Sequence, residues 1–389
     1  MAEIKFNKPI KALSMFSNVG IAETYLAELD IEVAVANELL EERCSFYKHL
    51  YPDVKMIQGD ITDENIFNLV IKAAREEKID LLIATPPCQG MSCAGRKDPK
   101  DPRNFLVYHA VEAVKELRPR FVIIENVTNQ QHTQILYNGN YTFIPEFIES
   151  ELGADYDFNE RRIVNAKDYG IPQSRQRYIY LLTLKSENVH WEFPEKEGKE
   201  ITLREAIGNL PSLDPCLREE SERWRFPEYE EKRRIGEKVS KWHRPPVHSW
   251  RQVEWMMHTP TGMSAFKNEI FYPMTKGRRV KGAPRTYMRM DWDKPATTIM
   301  QNSGVISAFS TVHPGRKVSE GDVESERVYS DARALTIYEL LILSSLPLDW
   351  NIPEWANEVL IRKVIGEGIP PLLIKKAIES LILEGGYAG

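Results

Sequence analysis

The first half of the chain alternates short, nearly uninterrupted apolar runs with longer amphipathic segments. The apolar runs predict strands at residues 11–16, 31–36, 54–57, 79–84 and 121–125. The segments at 21–29, 38–50, 64–77 and 104–117 predict helices, because apolar side chains recur there every three or four positions. Strands that are apolar on both faces and separated by helices are typical of a parallel sheet covered on both sides. We therefore predict a doubly wound α/β fold.

The pattern changes in the second half of the chain. Two further strands are predicted at 161–166 and 177–184, and prolines, charges and aromatic residues then break the periodicity until about residue 330. Helical periodicity returns at 334–346 and 370–385, and these segments could pack back on the first domain. We predict one domain at 1–195, completed by 360–389, and a smaller irregular domain at 196–359.

Composition narrows the class of protein. With 389 residues, 42% of them apolar and 28% charged, the chain is an ordinary globular protein, and it has no apolar stretch near 18 residues and no secretory leader. We therefore expect a cytoplasmic protein without membrane contact. The four cysteines match neither a zinc pattern nor a disulfide framework, so no metal is predicted.

The charge is unevenly distributed. The chain carries −6 overall, but residues 241–290 hold ten Lys and Arg against two acidic residues, a local +8 that leaves −14 for the remainder. A basic, aromatic-rich segment on an acidic protein indicates a face that binds a polyanion. A solvated surface run is the alternative.

Polar residues follow the first three predicted strands. In sheets of this kind, ligands bind outside the carboxyl ends of the strands. The small-residue turn 16–23 follows the first strand, and Glu38, eighteen residues beyond Gly20, follows the second at a distance common for a residue that binds ribose hydroxyls. Asp60 follows the third strand and could accept from an adenine amino group. Together they predict a pocket for a nucleoside cofactor.

The next two strands end in reactive residues. The stretch ATPPCQGMS places Cys88 after the fourth strand, and Glu125 ends the fifth, so both should share one rim. Pro86 stiffens this turn, which suits a nucleophilic thiolate with a carboxyl group as proton donor. A small buried hydrophobe is the alternative for a cysteine, but that role favours a position inside a strand.

Several longer motifs occur in a fixed order. PPCQGMS (86–92) and ENV (125–127) are joined by DPRNFLVYHAVEAV (101–114), AKDYGIPQSRQRYIY (166–180) and RALTIYELLILSSLP (333–347). In this order they resemble the motifs of the cytosine-C5 DNA methyltransferases, particularly the bacterial restriction–modification type. The resemblance covers most of the chain except its variable middle.

The resemblance implies a fold and a mechanism. The fold is a doubly wound, Rossmann-like domain that binds S-adenosylmethionine (SAM), with residues 196–359 as the target-recognition domain. In this scheme Cys88 adds to C6 of a cytosine flipped out of double-stranded DNA, and Glu125 hydrogen-bonds its N3 and amino group. Arg177 contacts the base oxygen and Arg175 holds Cys88 or the base edge. These four residues are the predicted catalytic set.

The predicted ligand contacts follow from the same motifs and from the basic segment. For SAM they are Phe16, Asn18, Gly20, Glu38, Asp60, Ile61, Pro86, Leu106 and Glu367. For DNA they are Gln89, Ser92, Arg278, Arg279, Lys281, Arg285 and Arg289. The chain departs from the family pattern where Asn18 and Ile21 replace glycines and Glu367 replaces an asparagine, all beside the predicted SAM pocket.

Three other functions were weighed. The tRNA-methylating branch of the family typically reads Pro-Pro-Cys-Gln-Pro-Phe, whereas Gly90 follows Gln89 here. A catalytically idle DNA-binding regulator would usually have lost the residues that remain intact. A dinucleotide-dependent dehydrogenase fits only the first three strands. The resulting expectation is a monomeric enzyme acting on double-stranded DNA, with a restriction endonuclease for the same site as partner.

Overall fold

The computed structural model describes residues 4–87, 102–283, 285–319, 321 and 323–387. Its strands are β1 (Ile10–Met15), β2 (Ile31–Glu38), β3 (Lys55–Gln58), β4 (Leu81–Ala84), β5 (Phe121–Asn126), β6 (Gln134–Tyr137), β7 (Asn140–Phe143), β8 (Tyr156–Phe158), β9 (Ile163–Asn165), β10 (Gln176–Leu184), β11 (Cys216–Leu217), β12 (Val247–His248), β13 (Met274–Thr275) and β14 (Arg278–Arg279). Its helices are α1 (Glu41–Leu50), α2 (Glu64–Glu77), α3 (Leu106–Leu117), α4 (Ile144–Leu152), α5 (Leu203–Ile207), α6 (Tyr229–Val239), α7 (Trp250–Met257), α8 (Ile337–Leu343), α9 (Glu358–Glu367) and α10 (Pro371–Glu384).

The main sheet confirms the predicted fold class. Its strand order is β3-β2-β1-β4-β5-β10-β8, with β9 also paired to β10, and the first five strands are parallel. Strand β10 runs antiparallel to β5, β8 and β9, so the sheet is mixed rather than wholly parallel. Only a short connection separates β9 from β10, and a parallel pair would need a long crossover.

The strands read as continuous apolar runs because the sheet is covered on both faces. In β5, Val122 and Ile124 point into a core shared with α2, α3 and α4, while Phe121 and Ile123 point into a core on the opposite face. Helix α10 supplies Leu373, Ile374, Ala377, Ile378, Leu381 and Ile382 to that second core. Helix α10 thus packs on the main sheet.

Most predicted elements form within three residues of their predicted bounds, but the helix predicted at 21–29 is wrong. This segment consists of turns and one short 3-10 helix, Ala27–Leu29. Buried Glu23 accepts a hydrogen bond from the Ser14 hydroxyl on β1, and backbone bonds span three residues, as from Leu26 N–H to Glu23 C=O (2.9 Å). The hydrogen bond between Ser14 and Glu23 holds this segment close to β1. In a regular amphipathic helix, Glu23 would not lie beside this strand.

The later part of the chain has little regular structure and a charged interior. Arg333 is fully buried and donates to both carboxylate oxygens of Glu339 at 2.9 Å and to Asp331 at 2.9 Å. Helix α8 and α9 side chains pack with Val19 and Ile21 from the loop after β1. The buried ion pairs therefore stabilise the irregular segment internally, and the shared apolar cluster holds it against the loop after β1.

One further property concerns membranes. Across the ranges given above, no helix is both long enough and apolar enough to span a bilayer.

Candidate active site

The carboxyl ends of β1, β4 and β5 meet at one edge of the sheet. Met15 is in register with Ala84, and Ala84 with Ile124, so Glu125 and Asn126 extend just beyond the end of β4. The Asn126 side-chain amide donates to the Pro86 carbonyl at 3.2 Å. The segment that leads to Cys88 therefore begins beside the end of β5, as the shared rim requires. Cys88 itself, Gln89 and Ser92 lie outside the described residues.

Glu125 has an arginine partner on the neighbouring strand. The antiparallel pairing of β10 with β5 sets Ile179 opposite Glu125, and Arg177, two residues away on the same face, reaches back to it. The Arg177 Nε lies 2.7 Å from Glu125 Oε1, and the two side chains are only 10% and 11% exposed. Arg177 Nη1 also donates to the Gln176 carbonyl at 2.8 Å. In this structure the guanidinium is therefore engaged with the carboxylate.

The surroundings of Glu125 act on its protonation in opposite directions. Burial raises the pKa of the Glu125 carboxyl, while the positive charges of Arg177 and Arg175 and the bond from Arg177 lower it. Burial prevails, and the pKa stays above its ordinary value. A carboxyl group with a raised pKa keeps its proton to a higher pH than an exposed one, and carboxyl groups perturbed in this way are typical of active sites.

Arg175 holds a different part of the molecule. Its guanidinium is buried and donates to the carbonyls of Ile299 (2.8 Å), Gly366 (2.8 Å) and Glu367 (3.3 Å). It therefore joins the start of β10 to the end of α9. Its predicted contact with Cys88 stays a prediction, since Cys88 is not among the described residues.

The loop after β1 is a tight turn with an unusual backbone conformation. Phe16, Asn18 and Gly20 have φ values of 58°, 51° and 81°, in the left-handed region. The two carboxylate oxygens of Glu38 accept from the backbone N–H groups of Asn18 and Leu40, each at 3.0 Å. Besides its predicted ribose contact, Glu38 thus fixes this loop against the end of β2.

The end of α9 completes this edge, and it is contacted by a residue of α1 that was not predicted from the sequence. Asn18 Nδ2 donates to the Val364 carbonyl at 3.2 Å, and Glu367 Oε2 accepts from Arg43 Nη2 at 2.5 Å. Arg43 follows Glu38 by five residues and gives the glutamate that replaces the family asparagine a cationic partner. In the sequence, the only signal for Arg43 was its positive charge, opposite to that of Glu367, at a position shortly after the second strand.

Two buried acceptors here suit the predicted cofactor. Asn18 Oδ1 and Glu367 Oε1 have no hydrogen-bond partner among the described residues. Unpaired buried acceptors are uncommon in folded proteins, and each is a position at which a bound donor can pair. SAM carries donors at its ammonium, hydroxyl and amino groups, so these residues fit it.

The other predicted cofactor residues lie at the same edge or at the start of α3. Asp60 is exposed and accepts from the Thr62 backbone and hydroxyl at 2.9 and 2.8 Å. Ile61 and Pro86 are buried, and Leu106 begins α3 against the first core. The roles of all these residues stay predictions.

The predicted DNA contacts divide into two groups. Arg278, Arg279, Lys281 and Arg285 are exposed. Arg289 is fully buried and donates to the carbonyls of Met256, His313 and Asp331, and burial lowers its pKa to about 9. Its predicted place on a DNA-binding surface is therefore wrong, because this residue, chosen for its charge, lies in the interior of the protein.

Comparisons with known proteins agree with this arrangement. The model of the family described as "C-5 cytosine-specific DNA methylase" matches residues 10–383. The type II methyltransferase M1.HgaI of Avibacterium volantium is 39% identical over 97% of this chain and 99% of its own length, and M1.HphI of Haemophilus parahaemolyticus is 26% identical over 95% and 86%. The solved structure of the methyltransferase EhMeth of Entamoeba histolytica shares the fold, with a TM-score of 0.61, 14% identity and coverage of 96% and 98%.

A family model that spans nearly the whole chain includes both the sheet edge with Glu125 and the end of α9. The same edge carries the Glu125–Arg177 pair and the two acceptors that fit SAM, the methyl donor of the family. The chain therefore belongs to the family of C-5 cytosine-specific DNA methylases.

Proposed function

We propose that this cytosine-5 DNA methylase is the modification enzyme of a type II restriction–modification system. It methylates C5 of a cytosine flipped out of a specific double-stranded site, through a covalent bond between Cys88 and C6. The carrying observation is the Glu125–Arg177 ion pair at the sheet edge where the segment toward Cys88 begins. The relatives that support the modification role are type II methyltransferases aligned over nearly their full length.

The chemistry requires activation of an unreactive ring position. Cytosine C5 is a weak nucleophile until a thiolate adds to C6. In the proposed step the Cys88 sulfur bonds to C6, the C5–C6 π electrons form a C4–C5 double bond, and the C4–N3 π electrons move to N3, which takes a proton from Glu125. When bound, SAM supplies an electrophilic methyl group. Once C5 carries the methyl group, loss of the C5 proton and return of the N3 proton to Glu125 allow the C6–S bond to break, which restores the C5–C6 double bond and the thiolate.

Glu125 and Arg177 perform the proton transfer as a pair. Burial favours the protonated carboxyl that N3 needs, and Arg177 stabilises the carboxylate that remains after the transfer. A positioned acid of this kind typically contributes roughly 10²–10⁴-fold to the rate. Removing the base from the duplex costs a few kcal/mol, which the protein must recover through its grip on the flanking DNA.

Bisulfite sequencing of DNA from cells that express the protein tests the proposal. Expression should produce 5-methylcytosine in one sequence context, whereas C88S should leave the DNA unmodified because a hydroxyl is a far weaker nucleophile. Purified protein should also form a covalent adduct with duplex DNA that contains 5-fluorocytosine, and C88S should form none. Near-normal turnover by C88S, or methylation of tRNA in place of duplex DNA, would contradict the proposal.

The partners follow from this role. We propose a cytoplasmic monomer that works beside an endonuclease specific for the same site. Plasmid DNA methylated by the enzyme should resist that endonuclease, and sedimentation should give the mass of one 44.9 kDa chain. Cleavage of fully methylated plasmid would contradict the protective role.

A further inference from the structure

A short basic β-ribbon projects from the second domain. Strands β13 and β14 form an antiparallel pair in which Met274 faces Arg279 and Thr275 faces Arg278. Lys276 and Gly277 join them with φ values of 50° and 71°, as a two-residue hairpin turn of type I′ requires. All residues from 275 to 279 are exposed. The tip of this ribbon thus presents two basic side chains, those of Lys276 and Arg278.

The base of the ribbon is firmly held. The Val280 N–H donates to the Pro273 carbonyl at 2.9 Å, which continues the ladder by one step. Phe271 stacks on His258 with the ring centroids 3.6 Å apart. The Glu324 carboxylate accepts from three successive backbone N–H groups, those of residues 269, 270 and 271, at 2.7–3.0 Å. The ribbon therefore has a fixed direction relative to its domain.

The two faces of the ribbon differ. Side chains alternate along a strand, so Met274 and Arg279 share one face and Thr275 and Arg278 share the other. Met274 packs against the apolar cluster of the second domain, and the Arg279 guanidinium lies 4.3 Å from the centre of the Tyr272 ring. That face is turned toward the domain. Arg278 is consequently on the outer face, and both its side chain and that of Lys276 are exposed.

We propose that residues 272–281 enter the major groove of the target DNA and that Arg278 reads a base there. This inference rests on the proposed function and assigns separate roles to neighbouring basic residues. The major groove admits a two-stranded β-ribbon, and bidentate arginine contact with guanine is the commonest specific contact. Arg278 therefore recognises a guanine in the recognition site, and Lys276 at the tip contacts a phosphate.

Arg279 is a positioning residue in this arrangement. Its stacking on Tyr272 turns the guanidinium away from the groove and braces the ribbon against the domain. Removing it should loosen the ribbon without changing which base is preferred. Of these two adjacent arginines, Arg278 thus determines the base preference and Arg279 stabilises the position of the ribbon.

Methylation of a randomised duplex library, read by sequencing, separates these roles. R278A should lose roughly 5- to 150-fold of the discrimination at one position of the site and leave the other positions unchanged. K276A should weaken binding equally for all sequences and reduce the salt slope by about one. R279A should lower affinity while keeping every base preference. R234A removes an exposed arginine from α6 of the same domain and should change none of these quantities.

The outcomes also distinguish this inference from the proposed function. Failure of the wild-type protein to methylate any duplex would contradict the proposed function. An active wild type whose R278A variant keeps full preference at every position would overturn the base-reading role and leave Arg278 as a phosphate contact. Arg278 is exposed, so R278A should unfold at the wild-type temperature, and a matched melting curve shows that any lost preference is not a loss of folding.

Discussion

Replacing Arg177 with methionine removes the charged partner of Glu125 and keeps a long side chain in its place. The pair is 2.7 Å apart and almost fully buried, and burial already raises the pKa of Glu125. Without the guanidinium, two of the influences that lower this pKa disappear. The pKa of Glu125 should therefore rise further, and the buried carboxyl should keep its proton to a higher pH than in the wild type.

Protonation limits what this change can cost. An unpaired buried charge would cost about 3–5 kcal/mol. Glu125 can avoid this by binding a proton, at about 1.36 kcal/mol for each pH unit above its unfolded pKa of 4.5. The ionisation cost of R177M is then at most about 3.4 kcal/mol at pH 7 and about 1.4 kcal/mol at pH 5.5. Because the folded pKa is the higher one, the stability deficit must grow as the pH rises.

Urea unfolding, followed by tryptophan fluorescence at both pH values, measures this deficit. In an E125Q background the neutral amide has no charge to lose, so R177M should cost little and show no dependence on pH. An equal deficit at pH 7 and pH 5.5, or the same deficit in the E125Q background, would refute the reasoning. It would mean that Arg177 stabilises the protein by packing alone.

Three further outcomes are expected. Gly20→Ala should weaken binding of S-adenosylhomocysteine and lower the melting temperature, because φ is +81° and the added methyl group would overlap the Tyr51 ring; unchanged binding would contradict a tight turn. Glu367→Gln breaks the ion pair with Arg43. It should weaken S-adenosylhomocysteine binding by about tenfold in calorimetry, because one charged hydrogen bond is lost. An unchanged Kd would exclude contact between Glu367 and the ligand. Arg289→Met leaves buried backbone carbonyls without a donor and should destabilise the protein by about 1–3 kcal/mol in urea, yet leave the salt dependence of DNA binding unchanged. A stable variant with a smaller salt slope would return this residue to the DNA surface.

Much of the fold and part of the site could be predicted from the sequence, because strands, helices and their order depend on local patterns. The apolar runs of β1, β4 and β5 are buried on both faces, and this is the property that makes them continuous. Glu125 closes such a run, so its place at the carboxyl edge of the sheet followed from the pattern alone. The segment toward Cys88 begins at the same edge because parallel strands in register end together.

The tertiary structure alone decided which charges meet. Arg175 and Arg177 look alike in the sequence, yet one binds the end of α9, 191 residues away, and the other pairs with Glu125 across two strands. The sequence suggested that Arg289 is a surface charge because a local pattern contains no information on burial. Its carbonyl partners, on Met256 and His313, are brought to it only by the folded structure. Local sequence thus determined the elements and the edge where chemistry occurs. The partner of each charged group depended on long-range packing. A charged side chain can find an ion-pair partner or a hydrogen-bond partner at many positions in a fold, and the local sequence does not select among them.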